Sequence, residues 1–282
     1  MTERPSSPEP VAAARSALFV PGDRPERFDK ALASGADLVI VDLEDAVAVG
    51  HKAQARDNVV TWLSGGGRAA VRINGLRTEH CSADRSRLAG LPGLQAVVVP
   101  MAEDPAALAE LAEELGGVAV VAMVETAAGL LRAHELAETP GVVRLAFGHL
   151  DLAADLDSAD TRVAMLHARS ILVVTSRAAG LPGPLEGVTP SLGDPARWAD
   201  DARYAAELGF SGKLVIHPGQ VEAVNAAFTP TAEEVARAAR VLEAAEQGGA
   251  VRLDGEMVDA PVLARARRLL ARARRPVARS GR

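Results

Sequence analysis

An α/β chain closing into a (β/α)8 barrel is the fold this sequence predicts, and three observations predict it. Eight short runs of β-branched and small apolar residues recur between residues 16 and 216, and amphipathic segments separate them. The runs are nearly all apolar instead of alternating, as parallel strands covered by helices require. The chain is 282 residues long, enough for one such barrel. A doubly wound open sheet is the rival architecture, but no Gly-x-Gly-x-x-Gly follows the first run.

Taken in order, the predicted strands are 17–20, 38–43, 69–73, 96–99, 118–124, 142–147, 185–188 and 213–216. Helical patterns lie between them at 25–33, 52–63, 104–115, 127–137, 162–179 and 195–208. Asp23 precedes Pro25, while Asp104 and Asp194 each stand directly before proline, which marks helix starts by side-chain capping and a preset φ. After the eighth unit, 231–246 reads as helix, 251–258 as a hairpin around Asp254-Gly255, and 261–273 as helix again. The expected organisation is a disordered N-terminal tail at 1–14, a barrel domain at 15–229, and a C-terminal helix-hairpin-helix extension at 230–282. That extension would cap its own subunit or reach onto a neighbour.

Composition narrows the function classes. The hydrophobic share of 48% and charged share of 24% are those of an ordinary soluble globular protein. Aromatic residues make up 3%, so the core must be built from Ala, Val and Leu. A net charge of −6 argues against broad nucleic-acid binding, and the Arg-rich stretch beyond Arg265 reads as a solvated helix face. Cys81 is the one cysteine, which excludes an intrachain disulfide and a cysteine-rich zinc site. No run approaches the ~18 apolar residues of a membrane span. The start of the chain lacks the cationic and apolar regions of a secretory signal, so a cytoplasmic location is expected.

In a barrel the chemistry collects where strands end. Glu125, in Val124-Glu125-Thr126, and Asp151, in Gly148-His149-Leu150-Asp151, each follow a predicted strand. A carboxylate at the mouth of a buried strand costs free energy unless a cation or hydrogen bonds compensate it. Two of them after successive strands suggest a hard-metal site, with Mg2+ as the favoured ion. Arg72 ends the third run, and its planar fork suits a carboxylate or a developing enolate oxygen. An ion pair between Arg72 and Glu44 or Asp45 is the structural alternative, and the two roles are compatible. Glu44 and Asp45 are adjacent and would point to opposite faces: either Glu44 turns toward the metal's water shell and Asp45 into loop hydrogen bonds, or the reverse, with Asp42 in a loop cap. Arg24, Arg27 and Lys30 share a spacing of three that would meet phosphates or simply face solvent. His217 and His149 read as hydrogen-bonded structure or as a ligand or base. The lysines are Lys30, Lys52 and Lys213, none expected inside the barrel near the strand ends, with Lys213 placed toward the opposite rim. Schiff-base aldolase chemistry is thereby disfavoured.

A collinear series of motifs also carries a resemblance. It runs from Arg15-Ser16-Ala17-Leu18-Phe19-Val20-Pro21-Gly22-Asp23-Arg24-Pro25 through Asp42-Leu43-Glu44-Asp45, Val71-Arg72-Ile73-Asn74, Val124-Glu125-Thr126-Ala127 and Gly148 to Asp151. It ends with Ile216-His217-Pro218 and Met257-Val258-Asp259-Ala260-Pro261. In this order the motifs resemble the citrate lyase beta subunit-like proteins of the HpcH/HpaI aldolase family, over about residues 15 to 272. The resemblance implies a Mg2+-dependent TIM-barrel carbon–carbon lyase acting on acyl-CoA thioesters, usually as a homotrimer. It implies Glu125 and Asp151 as metal ligands, Arg72 and Glu125 as substrate contacts, and Arg24 and Lys30 near the coenzyme A phosphates. Asp259 matches an acid that related lyases supply from an adjacent subunit. Where family members commonly read Pro-Lys and Glu-Thr-Ala-Arg-Gly, this chain has Pro100-Met101 and Glu125-Thr126-Ala127-Ala128-Gly129.

The implied reaction is cleavage or formation of a 3-hydroxy-3-carboxyacyl-CoA such as citramalyl-CoA or malyl-CoA, with Arg72, Glu44 and Asp259 as catalytic groups. Two other readings stay open at this point. One is a metal-dependent aldolase for free 2-keto-hydroxy acids. The other is an accessory or non-catalytic acyl-CoA-binding barrel, motivated by Met101 and Ala128.

Overall fold

The computed structural model describes residues 9–246, 251–253 and 256–273. Eight parallel strands close a barrel in chain order: β1 (Ser16–Pro21), β2 (Leu38–Asp42), β3 (Ala69–Arg72), β4 (Leu94–Val99), β5 (Ala119–Val124), β6 (Val142–Phe147), β7 (Leu185–Glu186) and β8 (Gly212–Val215). β8 pairs back onto β1, so no edge is left open. The strands lie within two residues of the sequence-based bounds at either end.

Strand alternation sorts the core into two layers. Ala17, Ile40, Ala70, Val98, Met123, Ala146 and Leu214 belong to the interior cluster. Leu18, Val41, Val71, Val97, Val124 and Phe147 pack outward beneath the helices. The interior is thus filled by small and aliphatic side chains, as the scarcity of aromatics demands. Continuing the same alternation by one step past the last apolar residue carries Ile40 to Asp42, Ala70 to Arg72 and Met123 to Glu125. The barrel's own period aims these charged groups at one mouth.

The N-terminal end is closed by a short helix, Glu9–Ala13, whose Val11 is fully buried in the interior cluster. The expected tail at 1–14 is therefore helical from residue 9, while residues 1–8 lie outside the described residues. Arg144, at 0% exposure, anchors this plug by donating to the carbonyls of Val11, Ala14 and Gly183 and to Ser211 Oγ.

The helices differ from the sequence reading in several places, among them Val221–Phe228, a helix after β8 that was not predicted, and Leu166–Ala178, which starts four residues later than expected. Glu79–Leu88 is a helix that no hydrophobic periodicity announced. The pattern at 127–137 splits into Ala127–Leu131 and Ala133–Glu138 at Arg132, whose guanidinium donates to the Glu103 carbonyl. A helix at His149–Asp155 starts directly after β6. Beyond the barrel come the helix Ala232–Glu246, the antiparallel pair β9 (Val251–Leu253) and β10 (Glu256–Val258), and the helix Ala260–Ala273. Ala238, Val241, Val258 and Ala266 give these pieces a small core of their own. Asp254 and Gly255, the expected turn, lie outside the described residues. No helix among the described residues is long and apolar enough to cross a membrane.

Arg144→Met would strip four acceptors, those of Val11 and Ala14 buried and those of Gly183 and Ser211 half-buried, of a charged donor. It is expected to cost about 3 kcal/mol, on the scale of buried hydrogen bonds to charged groups. Urea unfolding monitored by circular dichroism checks this, and a loss near zero would show that the plug is not held by Arg144.

Candidate active site

A cavity of about 180 Å3 opens at the C-terminal mouth of the barrel, lined by Phe19, Asp42, Arg72, Met123, Glu125 and Asp151 among others. Phe19, Met123 and Leu214 form its apolar floor, and the charged groups stand above them.

Glu125 follows β5 directly and is 4% exposed. Its Oε1 accepts the Met101 backbone N–H at 2.7 Å. Met101 has φ 44, in the left-handed region that L-residues avoid, and that backbone aims its N–H at the carboxylate. On the other side, a Cβ on Gly148 would stand 2.2 Å from Glu125 Oε2, so only glycine leaves the carboxylate room. Burial pushes the Glu125 carboxyl up to about 8; the Met101 N–H opposes this, Asp151 adds to it and Arg72 opposes it. Asp151 sits in the first turn of the helix after β6, is exposed, and lines the same cavity.

Arg72 is held on three sides. Its Nε and Nη2 donate to the two oxygens of Asp42 at 2.7 and 2.6 Å. Its Nη1 lies 3.0 Å from Glu44 Oε2, and its Cζ lies 4.8 Å from the Phe19 ring centroid. Burial works against the charge on Arg72, but the Asp42 hydrogen bonds and the surrounding carboxylates hold its pKa above the usual arginine range. The partner expected for Arg72 was Glu44 or Asp45; the bidentate partner is Asp42, which also accepts the N–H groups of Glu44 and Ala46. Register explains this, since Asp42 and Arg72 are opposite each other in the β2–β3 pair. Asp45 is 67% exposed in its side chain and stays 3.8 Å from Arg72, outside hydrogen-bond distance.

Glu44 is pushed up to about 7, first by burial and against the pull of Arg72. Although close to Arg72, its Oε2 is buried and has no well-aligned hydrogen-bond donor among the described residues. The structure therefore brings Arg72, Glu44, Glu125 and Asp151 to one mouth. Arg24, Lys30 and Asp259 are not among the residues lining the cavity. Arg24 is solvent-exposed beside Asp23, Lys30 lies in the helix Phe28–Leu32, and Asp259 accepts the Val262 N–H at the start of the last helix. His217 is structural: its Nδ1 accepts the Gly219 N–H in a capping box with Gln220. His149 is buried against Asp160 at 3.6 Å. Asp42, Phe19 and the Met101 backbone are site groups that the residue types alone did not announce.

The donor set fits a hard divalent cation. Glu125 and Asp151 offer carboxylate oxygens only, and Glu125 is buried without a side-chain cation bonded to it. No group of three or more His, Cys, Asp or Glu gathers as a metal cage among the described residues. Two carboxylates, with water or substrate completing the shell, are what Mg2+ accepts.

Residues 15–218 match the family model described as HpcH/HpaI aldolase/citrate lyase. The chain belongs to this family. Residues 200–275 also match a carbon–carbon bond lyase model of the TIM-barrel fold. The citrate lyase subunit beta-like protein of Mycobacterium tuberculosis is 38% identical over 267 residues, covering 92% of this chain and 95% of the relative. A (3S)-malyl-CoA thioesterase of Cereibacter sphaeroides is 34% identical, covering 91% and 93%. The crystal structure of CitE from M. tuberculosis with magnesium, acetoacetate and coenzyme A has a TM-score of 0.82 and 38% identity, covering 93% of this chain and 99% of that one. Another M. tuberculosis citrate lyase beta structure, holding oxaloacetate and magnesium, has a TM-score of 0.71. This member of the HpcH/HpaI family is thus a carbon–carbon lyase by kinship.

Gly148→Ala tests the packing around Glu125. The added methyl must displace the carboxylate, so Mg2+ affinity by calorimetry is expected to fall about tenfold or more, as when a supporting group of a metal site is lost. Unchanged affinity would show that Glu125 does not need the space Gly148 leaves.

Proposed function

We propose that this chain is a Mg2+-dependent lyase that cleaves, or in reverse forms, a 3-hydroxy-3-carboxyacyl-CoA such as citramalyl-CoA or malyl-CoA. One observation carries the reading. Two carboxylates suited to a hard ion share a cavity with a guanidinium already oriented by Asp42, in a chain whose relatives were crystallised with magnesium, small oxo acids and coenzyme A.

Glu125 and Asp151 would hold the ion, which when bound draws electron density from the hydroxyl and carboxylate of the substrate. Arg72, locked by Asp42 and Phe19, presents its remaining donor edge to the oxygens on which negative charge develops as the carbon–carbon bond breaks. Its rigidity matters, because a donor that need not reorganise stabilises the transition state more than the ground state. Glu44, ion-paired with Arg72 through Oε2, would accept a water of the ion's shell. Arg24 and Lys30 are proposed to meet the coenzyme A phosphates. Asp259, in the C-terminal segment, would protonate the enolate carbon in a neighbouring copy, which makes a homotrimer with that segment as a lid part of the proposal. A cytoplasmic location belongs to it as well. A second reading, an aldolase for free oxo acids, draws on the relatives' oxaloacetate and acetoacetate complexes. Saturation by a substrate lacking coenzyme A would favour it.

Glu125→Gln keeps the shape of the side chain and removes its charge. Activity with Mg2+ on citramalyl-CoA and malyl-CoA is expected to fall at least 100-fold, the scale of losing a principal electrostatic group; retained activity would end the metal assignment. The Glu125 carboxyl, near 8 before the ion arrives, must lose its proton to bind it. Mg2+ affinity should therefore rise with pH, about tenfold per unit below 8, and level off above. Calorimetry across that range in buffers of different ionisation enthalpy measures both the slope and the released proton. A flat profile would show that Glu125 is ionised without the metal.

A further inference from the structure

A second cavity, of about 250 Å3, lies outside the barrel wall at β7 and β8. Alternation places it. Leu185 and Leu214 face the barrel interior, so Glu186 and Lys213 project the other way, beneath the helices Leu166–Ala178 and Pro195–Leu208. Lys213 is 3% exposed, and its ammonium donates to the carbonyl of Gly187. The sequence reading set Lys213 toward the opposite rim. Its Cα is indeed early in β8, but its long side chain climbs to the end of β7.

Lys213 and Arg169 bring buried donors to this cavity that the described residues leave short of acceptors. An ammonium carries three hydrogens, and among the described residues Gly187 is the one acceptor within bonding reach of Lys213. Arg169, 7% exposed, spends Nε and Nη2 on Glu186 and is held between the rings of Phe147 and Tyr204. Its Nη1 is buried with no partner. A buried donor left unmade costs about 1–3 kcal/mol, so an acceptor is expected there. Two of the carboxylates are already engaged, Glu186 by Arg169 and the Gly187 N–H and Asp201 by Thr189 and Arg162, while the third, Asp160, is solvent-exposed 3.6 Å from His149. The other two cations lining the cavity are engaged by carboxylates, Arg162 by Asp200 and Asp201 and Arg197 beside Asp201, which leaves Lys213 and Arg169 as the donors to spare.

We propose that this cavity, which adjoins the reaction mouth and shares His149 and Val188 with its lining, binds a small carboxylate anion, with Lys213 and Arg169 as its donors. A guanidinium edge and an ammonium on a rigid wall suit a planar carboxylate. Lys213 is lowered to about 8 by burial against the pull of Glu186 and Asp201, with Arg169 adding to the lowering and Asp160 opposing it. An anion favours its charged form, so binding weakens as pH rises through that value.

The chain has three lysines, which makes the test direct. Full-length protein carrying 13C/15N-labelled lysine gives three side-chain signals, and Lys213→Arg identifies the third by its loss. Acetate is titrated to tens of millimolar against chloride at equal ionic strength, with inorganic phosphate as a parallel arm. Acetate is expected to move the Lys213 signal saturably and raise its titration midpoint by about one pH unit, while Lys30 and Lys52 stay put. A Lys213 signal indifferent to acetate, meaning a cavity that holds water only, would overturn the proposal. A stronger response to phosphate than to acetate would overturn the carboxylate class.

Discussion

Burial of one carboxylate sets the terms for the rest of this molecule. Glu125 stands at the end of a strand whose inward positions are Val121 and Met123, and it inherits their direction. Removing a carboxylate from water costs several kcal/mol even after the surroundings relax. The neighbourhood is built to offset that cost in part. Met101 accepts a left-handed backbone to supply an N–H, Gly148 gives up a side chain to leave room, and Arg72 lends positive charge from across the mouth. What remains uncompensated shows as a carboxyl held near 8, a group prepared for a cation.

The same period-two logic explains how apolar strands deliver three charged groups to a polar site. Asp42, Arg72 and Glu125 are each one step beyond an interior apolar residue, and the register of β2 against β3 sets Asp42 opposite Arg72. Arg72 is therefore oriented by the sheet itself. Outside the wall the complementary parity applies: Glu186 and Lys213 leave the interior to Leu185 and Leu214 and gather a charged layer under the helices. One alternation yields two charged regions on opposite faces of the strands.

Much of this was legible in the sequence, because fully apolar strands and Asp-Pro helix starts leave local marks. Glu125, Asp151 and Arg72 were found as charged residues at strand ends, a signal that needs no tertiary knowledge. Asp42 was read as a loop cap and turned out also to be the bidentate partner of Arg72. Choosing it over Glu44 required the register, which residue types do not record. The helix Glu79–Leu88 was missed because its inward face includes Asp84, which bonds Arg56 and Asn74, and so shows little apolar periodicity. Met101 was noted for the lysine it lacks, whereas its contribution here is a backbone N–H, invisible to any reading of side chains. Lys213 was misplaced because its Cα position says little about where a long flexible side chain ends.

The account stands on one ion shared by two carboxylates. Soaking crystals with Mn2+ and collecting anomalous diffraction at the manganese edge tests it most directly. One anomalous peak within about 2.2 Å of oxygens from both Glu125 and Asp151, facing Arg72, is the predicted result. A peak elsewhere, or no peak at saturating Mn2+, would contradict it.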